Sequence, residues 1–281
     1  MKPLILKNDE SAHGKISFYH FNYDAPSGIF SKENVIAHDF IKINIFVEGD
    51  FSVFTDGALH RPKRGDICFF PPMKMHYGHA PMPTHMNYYQ LDIGRLALDG
   101  VPGGGELILA LIEKTKGGES FIRPDGRDIG EVILLCEKIE GALSDGKDAL
   151  SYAYLIEFLC LLNSLYTTSR VPCAVSYSKR TAEAIKYIEE NYTEGVGVKE
   201  LAKKIGVSAS FLSRIFKKEL GISMHEYLNQ FRVLKAAEYL KTHSVTECCY
   251  LCGFSDTSHF ISVFKKYMKT TPMQYKGAHI L

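Results

Sequence analysis

The sequence has little of what would carry a chain out of the cytoplasm. MKPLILKNDE turns polar before an apolar stretch of useful length forms, so no secretory leader is expected. The most apolar run, LSYAYLIEFLCLLNSLYTT, is broken by Glu157 and Asn163 and reads as too short for a bilayer. Seven cysteines, an odd number, fit a reducing compartment better than a disulfide framework. Cys249 and Cys252 form a CxxC with Cys248 beside it, but no second CxxC or nearby histidine pair completes a tetrahedral metal site. All three also fall at apolar helical spacing, where cysteine packs as a small hydrophobe, and core packing is the preferred reading over redox chemistry. A strong net charge is missing too: the total is +1. What remains is a cytoplasmic globular chain of 281 residues, long enough for two domains.

The balanced total conceals an asymmetry. From residue 178 onward there are 16 Lys/Arg and 10 Asp/Glu, a net +6, whereas the remainder carries 17 basic and 22 acidic residues. A basic final third suggests a polyanionic partner.

The first hundred residues alternate with period two. IKINIFVEG sets Ile41, Ile43, Ile45 and Val47 on one face, with Lys42 and Asn44 on the other. FSVFTDGALH reads as a hairpin turning at Asp56 and Gly57, and GDICFFPP and MNYYQLDIG as further strands. VPGGGE is a flexible break. Helical patterns follow in ELILALIEKTK, DIGEVILLCEKIEGAL and DALSYAYLIEFLCLLNSLY. The last two are more apolar than one packing face needs, which suggests dimerisation; burial against the β region is the alternative. The expected organisation is α+β: a β domain over 1–100, a helical dimerisation region over 101–170, a linker over 171–178 around Pro172, and an all-α domain over 179–281.

A phrase is doubled in that last domain. SASFLSRIFKKELGISMHEY, residues 208–227, nearly recurs as DTSHFISVFKKYMKTTPMQY, residues 256–275. Upstream, Val198, Leu201, Ala202, Ile205 and Gly206 recur 47 residues on as Val245, Cys248, Cys249, Cys252 and Gly253. Each copy reads as a short helix, a glycine-bearing turn and a second helix, over 198–218 and 245–266: a helix-turn-helix, whose second helix can enter a DNA major groove. A solenoid is disfavoured, since it normally needs at least three units. Helix starts are marked chemically. Ser244 with Glu247 and Ser223 with Glu226 have capping-box spacing, Ser208 and Asp256 can cap the second helices, and Thr271 precedes Pro272 at a first helical position. Between the copies, Leu228, Phe231, Leu234, Ala237 and Leu240 form a stripe that predicts one long amphipathic helix. Its length is compatible with two reading helices set one duplex turn apart.

With LAKKIGVSASFLSRIFKKELGISMHEYL in the first unit and CGFSDTSHFISVFKKYMKTTPMQYK in the second, the region resembles the AraC-type transcription regulators over about a hundred residues. The resemblance implies double-stranded DNA as partner. It places Ser208, Ser210, Ser213, Arg214 and Lys217 of the first recognition helix, and Thr257, Ser258, His259, Ser262 and Lys265 of the second, at or beside the DNA. Arg214 can grip guanine O6 and N7, or hold a phosphate, which positions without specifying. Lys217, Lys218, Lys265 and Lys266 read as phosphate neighbours or solvated surface. Two departures stand out: Ser262 replaces a commonly basic residue, and Lys269 replaces the glycine seen as Gly221.

A weaker resemblance covers the first half. AHDFIKINIFVEG and GDICFFPPMKMH look like the two motifs of a cupin β-barrel, the usual ligand domain of these regulators. Of the metal ligands of cupins only His38 and His76 have counterparts, and Lys42 occupies the glutamate position, where an ammonium would repel a cation. No metal, cofactor or enzymatic activity is expected. A pocket of His38, Lys42 and His76, with Tyr19 and His20 from ISFYHFNYDAP at its mouth or on a closing arm, would suit a polar or anionic effector; sugars are the family's commonest ligands. For each histidine a satisfied buried role is the alternative, and for Lys42 an outward position on its strand. The resemblance further implies a homodimer and RNA polymerase as a partner; the competing reading has the β domain answering to a partner protein instead.

Overall fold

The computed structural model describes residues 4–7, 15–29, 38, 40–55, 58–72, 74–80, 82–94, 97–116, 120–168 and 178–279. Strands come first: β1 (Leu4–Lys7), β2 (Ile16–Ala25), β3 (Gly28–Ile29), β4 (Ile41–Glu48), β5 (Ser52–Thr55), β6 (Ala58–His60), β7 (Ile67–Phe70), β8 (His76–Ala80) and β9 (Thr84–Ile93). After helix α1 (Gly104–Lys116) comes one more strand, β10 (Phe121–Ile122), then α2 (Gly126–Ser144) and α3 (Asp148–Thr168). The hairpin turn at Asp56 and Gly57, and the linker apart from Ser178, lie outside the described residues.

Strand pairing gives two antiparallel sheets, one ordered β1-β2-β9-β4-β7-β10 and one ordered β3-β8-β5-β6. Among the described residues no ladder joins them, so the expected barrel is seen as two facing sheets. Because successive side chains point to opposite faces, β4 sends Ile41, Ile43 and Ile45 to one side, where Tyr89, Leu91, Ile93, Ile67 and Phe69 join them. Helices α1, α2 and α3 cover that face with Ile108, Val132, Cys136, Leu155, Phe158 and Leu162. The opposite face of β4 looks into the space between the sheets.

Three features depart from the sequence reading. β2 is no arm: it pairs with β9 over its whole length, from Ile16↔Ile93 to Ala25↔Thr84. VPGGGE runs into α1, which starts at Gly104. β10 lies beyond residue 100 yet adds to the large sheet through Phe121↔Cys68. Helix α3 has 21 residues, more than the apolar run suggested, and by length and composition alone could cross a bilayer. Its Leu155, Phe158, Leu159, Leu162 and Leu165 are instead buried in the core.

The final region holds α4 (Lys179–Glu190), α5 (Val198–Ile205), α6 (Ala209–Leu220), α7 (Met224–Tyr239), α8 (Val245–Leu251), α9 (Thr257–Met268) and α10 (Pro272–His279). The caps are where the sequence puts them. Ser223 with Glu226 and Ser244 with Glu247 form reciprocal capping boxes. Ser208 Oγ accepts from Phe211 N, and the Asp256 carboxylate from Ser258 N and His259 N. On α7 the buried line runs through Met224, Tyr227, Leu228, Val233, Ala236 and Ala237. Phe231 and Leu234, assigned to the stripe, are half-buried: strict three-residue spacing drifts around a helix of 3.6 residues per turn. Cys248, Cys249 and Cys252 are all buried in this core.

The two units are locked together behind α7. Arg232 donates through Nε to Tyr192 O (2.7 Å) and through Nη2 to Glu194 O (2.9 Å), fixing the α4–α5 connection. That connection presses on the second unit's turn, where a Cβ on Gly253 (φ 78°) would stand 2.6 Å from Thr193 O. At the C-termini of the recognition helices Gly221 and Lys269 both adopt left-handed backbone, and Lys269 (φ 59°) is the one non-glycine at positive φ among the described residues.

Two substitutions should therefore move stability in opposite directions. Lys269→Gly relieves a strain of about 1–2 kcal/mol, partly offset by glycine's freer unfolded chain, and should raise Tm slightly. Gly253→Ala adds the same strain plus a backbone clash and should lower Tm clearly. Thermal denaturation of both variants checks this; a Tm for Gly253→Ala equal to wild type would show that the turn tolerates a side chain.

Candidate nucleic-acid interface and effector cavity

Helices α6 and α9 each bury one face and expose the other. Leu212, Phe216 and Leu220 of α6 are buried, as are Phe260, Val263, Phe264 and Tyr267 of α9. The exposed sides carry Ser210, Ser213, Arg214 and Lys217 on α6, and Ser258, His259, Ser262 and Lys265 on α9; Thr257 is half-buried. Ser208 is exposed at the N-terminus of α6, with its hydroxyl engaged as the cap. The predicted contact residues thus share one solvent-facing side of each helix, 48 positions apart in sequence. The two sides differ in charge: Arg214 on α6 corresponds to Ser262 on α9.

The second site is a cavity between the sheets, about 420 Å³ counted out to its mouth. Its walls are Lys42, Asn44, Phe46, Tyr88 and Gln90 from the large sheet, and Phe51, Val53, His76 and Tyr77 from the small one, among others. Lys42 therefore points inward, with only 5% of its surface exposed. It faces its cross-strand partner Asp92. Burial pushes the Lys42 ammonium down from its ordinary range, against the pull of Asp92. Burial likewise pushes Asp92 up to about 6, against Lys42, a hydrogen bond from Gln90 and the charge of Lys15. The Gln90 amide donates to both Asp92 oxygens, at 3.1 and 3.2 Å.

His38 and His76 stand together, ring centroids 4.8 Å apart. His38 Nδ1 lies 2.6 Å from Phe40 O and His76 Nδ1 2.9 Å from Lys74 O. A carbonyl only accepts, so each Nδ1 carries the proton and, in the neutral ring, Nε2 keeps its lone pair. Burial, then the Lys42 charge, holds His76 down at about 3, and burial, Lys42 and His76 together hold His38 well below the usual imidazole range. Both rings are neutral at physiological pH. The two Nε2 atoms and Asn44 Oδ1 are buried with no hydrogen-bond partner among the described residues. Among the described residues no group of three or more His, Cys, Asp or Glu could hold a metal ion.

The other two predicted ligand residues stand apart. His20 is on the helix-facing side of the large sheet, stacked on Tyr89 with centroids 4.2 Å apart. Its Nδ1 is 3.0 Å from Glu140 of α2 and its Nε2 2.9 Å from Asn87 Oδ1. The pleat of β2 sends it away from the cavity, and its assignment to the pocket is corrected here. Tyr19 is on the cavity-facing side but stacks on Phe21 at 5.7 Å and is not among the lining residues. Asn44 and Gln90 were missed as cavity residues, and Asp92 as the carboxylate facing Lys42 beside the cavity. Their signal was alternation: Asn44 shares the face of Lys42 in IKINIFVEG, and Gln90 and Asp92 are two apart in MNYYQLDIG.

Known proteins show the same division. An AraC-like ligand binding domain model matches residues 35–102, and a helix-turn-helix domain model matches 201–278. The HTH-type transcriptional activator RhaS of Yersinia pseudotuberculosis is similar at 26% identity over 258 residues, covering 90% of this chain and 91% of the relative. RhaS of Salmonella paratyphi B is 32% identical over 131 residues, 46% of this chain and 47% of the relative. Among solved structures, the C-terminal domain of AraT, a response regulator from Geobacillus stearothermophilus, is 30% identical, covering 38% of this chain and 91% of that one with a TM-score of 0.37. These relatives are transcription regulators, not enzymes. The chain belongs to the AraC family of DNA-binding transcription regulators, with a ligand-binding domain ahead of its helix-turn-helix domain.

Proposed function

We propose that the protein is an effector-responsive regulator whose α6 and α9 read successive major-groove segments of one duplex. The observation that carries this is the pair of solvent-facing sides described above, polar on α6 and polar apart from Ile261 on α9, each backed by a buried apolar one. Helix α7, at about 1.5 Å per residue over its 16 residues, extends about 24 Å between the units, compatible with one duplex turn of about 34 Å once packing offsets are added. Arg214 serves as the base-reading residue, Lys217 and Lys265 as phosphate contacts, and Ser210, Ser213, Thr257, Ser258, His259 and Ser262 as short-range contacts.

A small polar effector is the occupant we assign to the cavity at Lys42 and His76, with His38 packed against His76. A β domain answering to a partner protein would more naturally have a filled interior. Leu109, Leu134 and Leu150, exposed large apolar side chains on the covering helices, support a homodimer formed through α1–α3. The RhaS relatives are activators, and we adopt activation in the cytoplasm, through RNA polymerase, for this chain.

Coupling runs through the small sheet. Phe54 and Tyr77 are cross-strand partners stacked at 4.8 Å. Phe54 meets Tyr227 of α7 edge-on at 6.2 Å, and Tyr227 meets Phe216 of α6 at 5.8 Å. An effector that shifts the small sheet would thereby bias the placement of α6, a population shift between arrangements.

In mobility-shift assays on DNA selected from random sequence, Arg214→Ala should lose about 1–3 kcal/mol of discrimination at one base pair. Lys217→Ala should weaken binding evenly across sequences and lower the salt slope by about one. Unchanged affinity and site preference in Arg214→Ala would remove Arg214 from the interface. Phe54→Ala, which leaves the cavity's polar groups and both recognition helices intact, should change output from a reporter promoter while binding of isolated sites persists; an unaltered reporter response would exclude this coupling route.

A further inference from the structure

We infer that the cavity takes a small hydroxylated carboxylate, a sugar acid rather than a neutral sugar. The inference rests on reading the cavity as the effector site, and it comes from what the walls leave unmet. His76 Nε2 and Asn44 Oδ1 of the walls, and Nε2 of His38, which packs against His76 from outside the lining, are three buried acceptors without a donor among the described residues. Lys42 adds one buried cation. The carboxylate that faces it, Asp92, is turned to the Gln90 amide through both oxygens. No ion pair closes on Lys42 among the described residues.

A buried polar group without a partner is costly, and a buried charge more so. The occupant that removes these costs must bring hydroxyl donors to the imidazoles and Asn44, and a negative group to Lys42. A neutral polyol meets the acceptors and leaves the ammonium unpaired. A simple inorganic anion does the reverse. A divalent cation would find two imidazoles but also the Lys42 charge. The apolar walls suit a sugar ring as well. Phe46, Phe51, Phe70 and Tyr88 line the space, and Phe70 stacks on His76 at 4.0 Å, leaving aromatic surface for C–H faces. Asp92 opposes an anion here; its raised pKa softens that opposition, since proton uptake near neutrality is within reach.

The test is calorimetric titration of the full-length protein with galacturonate and gluconate, each beside its neutral counterpart, galactose and glucose, and beside inorganic phosphate. A charge-assisted hydrogen bond should make at least one acid about tenfold or more tighter than its neutral counterpart. Lys42→Met should reduce that acid to the neutral sugar's level while DNA binding in a mobility-shift assay stays intact. The wild-type comparison stands by itself should that variant fold poorly. A neutral sugar binding as tightly as its acid overturns the anionic class and leaves the effector cavity standing. Phosphate binding as tightly as the acids overturns the requirement for hydroxyls. If neither acid nor either sugar binds at millimolar concentration to protein that still holds DNA, this inference fails; the cavity reading then stands or falls separately, on whether any metabolite copurified with the native protein displaces a fluorescent reporter from the cavity.

Discussion

The structure turns on the pleat of β4 and β9, two strands buried on both faces but to different ends. One face presents Ile41, Ile43, Ile45, Tyr89, Leu91 and Ile93 and receives the three covering helices. The other carries Lys42, Asn44 and Gln90 into the cavity between the sheets, with Asp92 beside Lys42. Burying an ammonium and a carboxylate at a cross-strand pair stabilises nothing by itself, because desolvation can exceed the attraction. The apolar face compensates, anchoring both strands so that their polar side chains cannot escape to solvent. Local consistency fails at this one surface of the domain, and such failures tend to mark a functional site.

The helical domain shows the opposite logic, with each local signal agreeing with the next. Capping boxes start α7 and α8, αL residues end α6 and α9, and Arg232 ties the α4–α5 connection to the back of the rod. The copies nevertheless diverge in ways that bear on DNA. The first has Arg214 and a glycine at its C-cap; the second has Ser262 and a strained Lys269. On the proposed DNA-reading assignment, less charge and a less relaxed end would suit the second unit to positioning and shape reading, and the first to sequence discrimination.

Much of this was legible in the residues. Caps, turns and the recognition helices are set by interactions within three or four positions, which a linear sequence displays directly. Strict alternation in IKINIFVEG likewise separated Ile43 from Lys42 and Asn44. β2 was obscured because ISFYHFNYDA carries aromatic side chains on both faces, so its period-two signal is flat. β10 is two residues long and exists only because Phe121 and Ile122 find the free edge of β7. His20 looked like a pocket residue by neighbourhood, yet its face is decided by register with β9 and its partner Glu140 lies 120 positions away. Long-range register of this kind has no local signature.

The same pleat offers a route by which a small ligand could matter to DNA without touching the helix proposed to read it. His76 and Tyr77 are neighbours on β8: His76 faces the buried Lys42, while Tyr77 stacks on Phe54, which meets Tyr227. A displacement of the small sheet by an occupant is therefore felt on its other side with no intervening loop to absorb it. The contact lies behind α6, at Phe216 and Tyr227, and leaves Ser210, Ser213 and Arg214 exposed. It can reorient the first unit without masking it. For such a shift to be driven, the ligand must bind one arrangement of the sheets better than the other. A cavity beside which two imidazole Nε2 atoms and the Asn44 amide oxygen lack hydrogen-bond partners among the described residues supplies that difference, because closing the sheets onto a ligand that satisfies them gains hydrogen bonds that an open arrangement leaves to water.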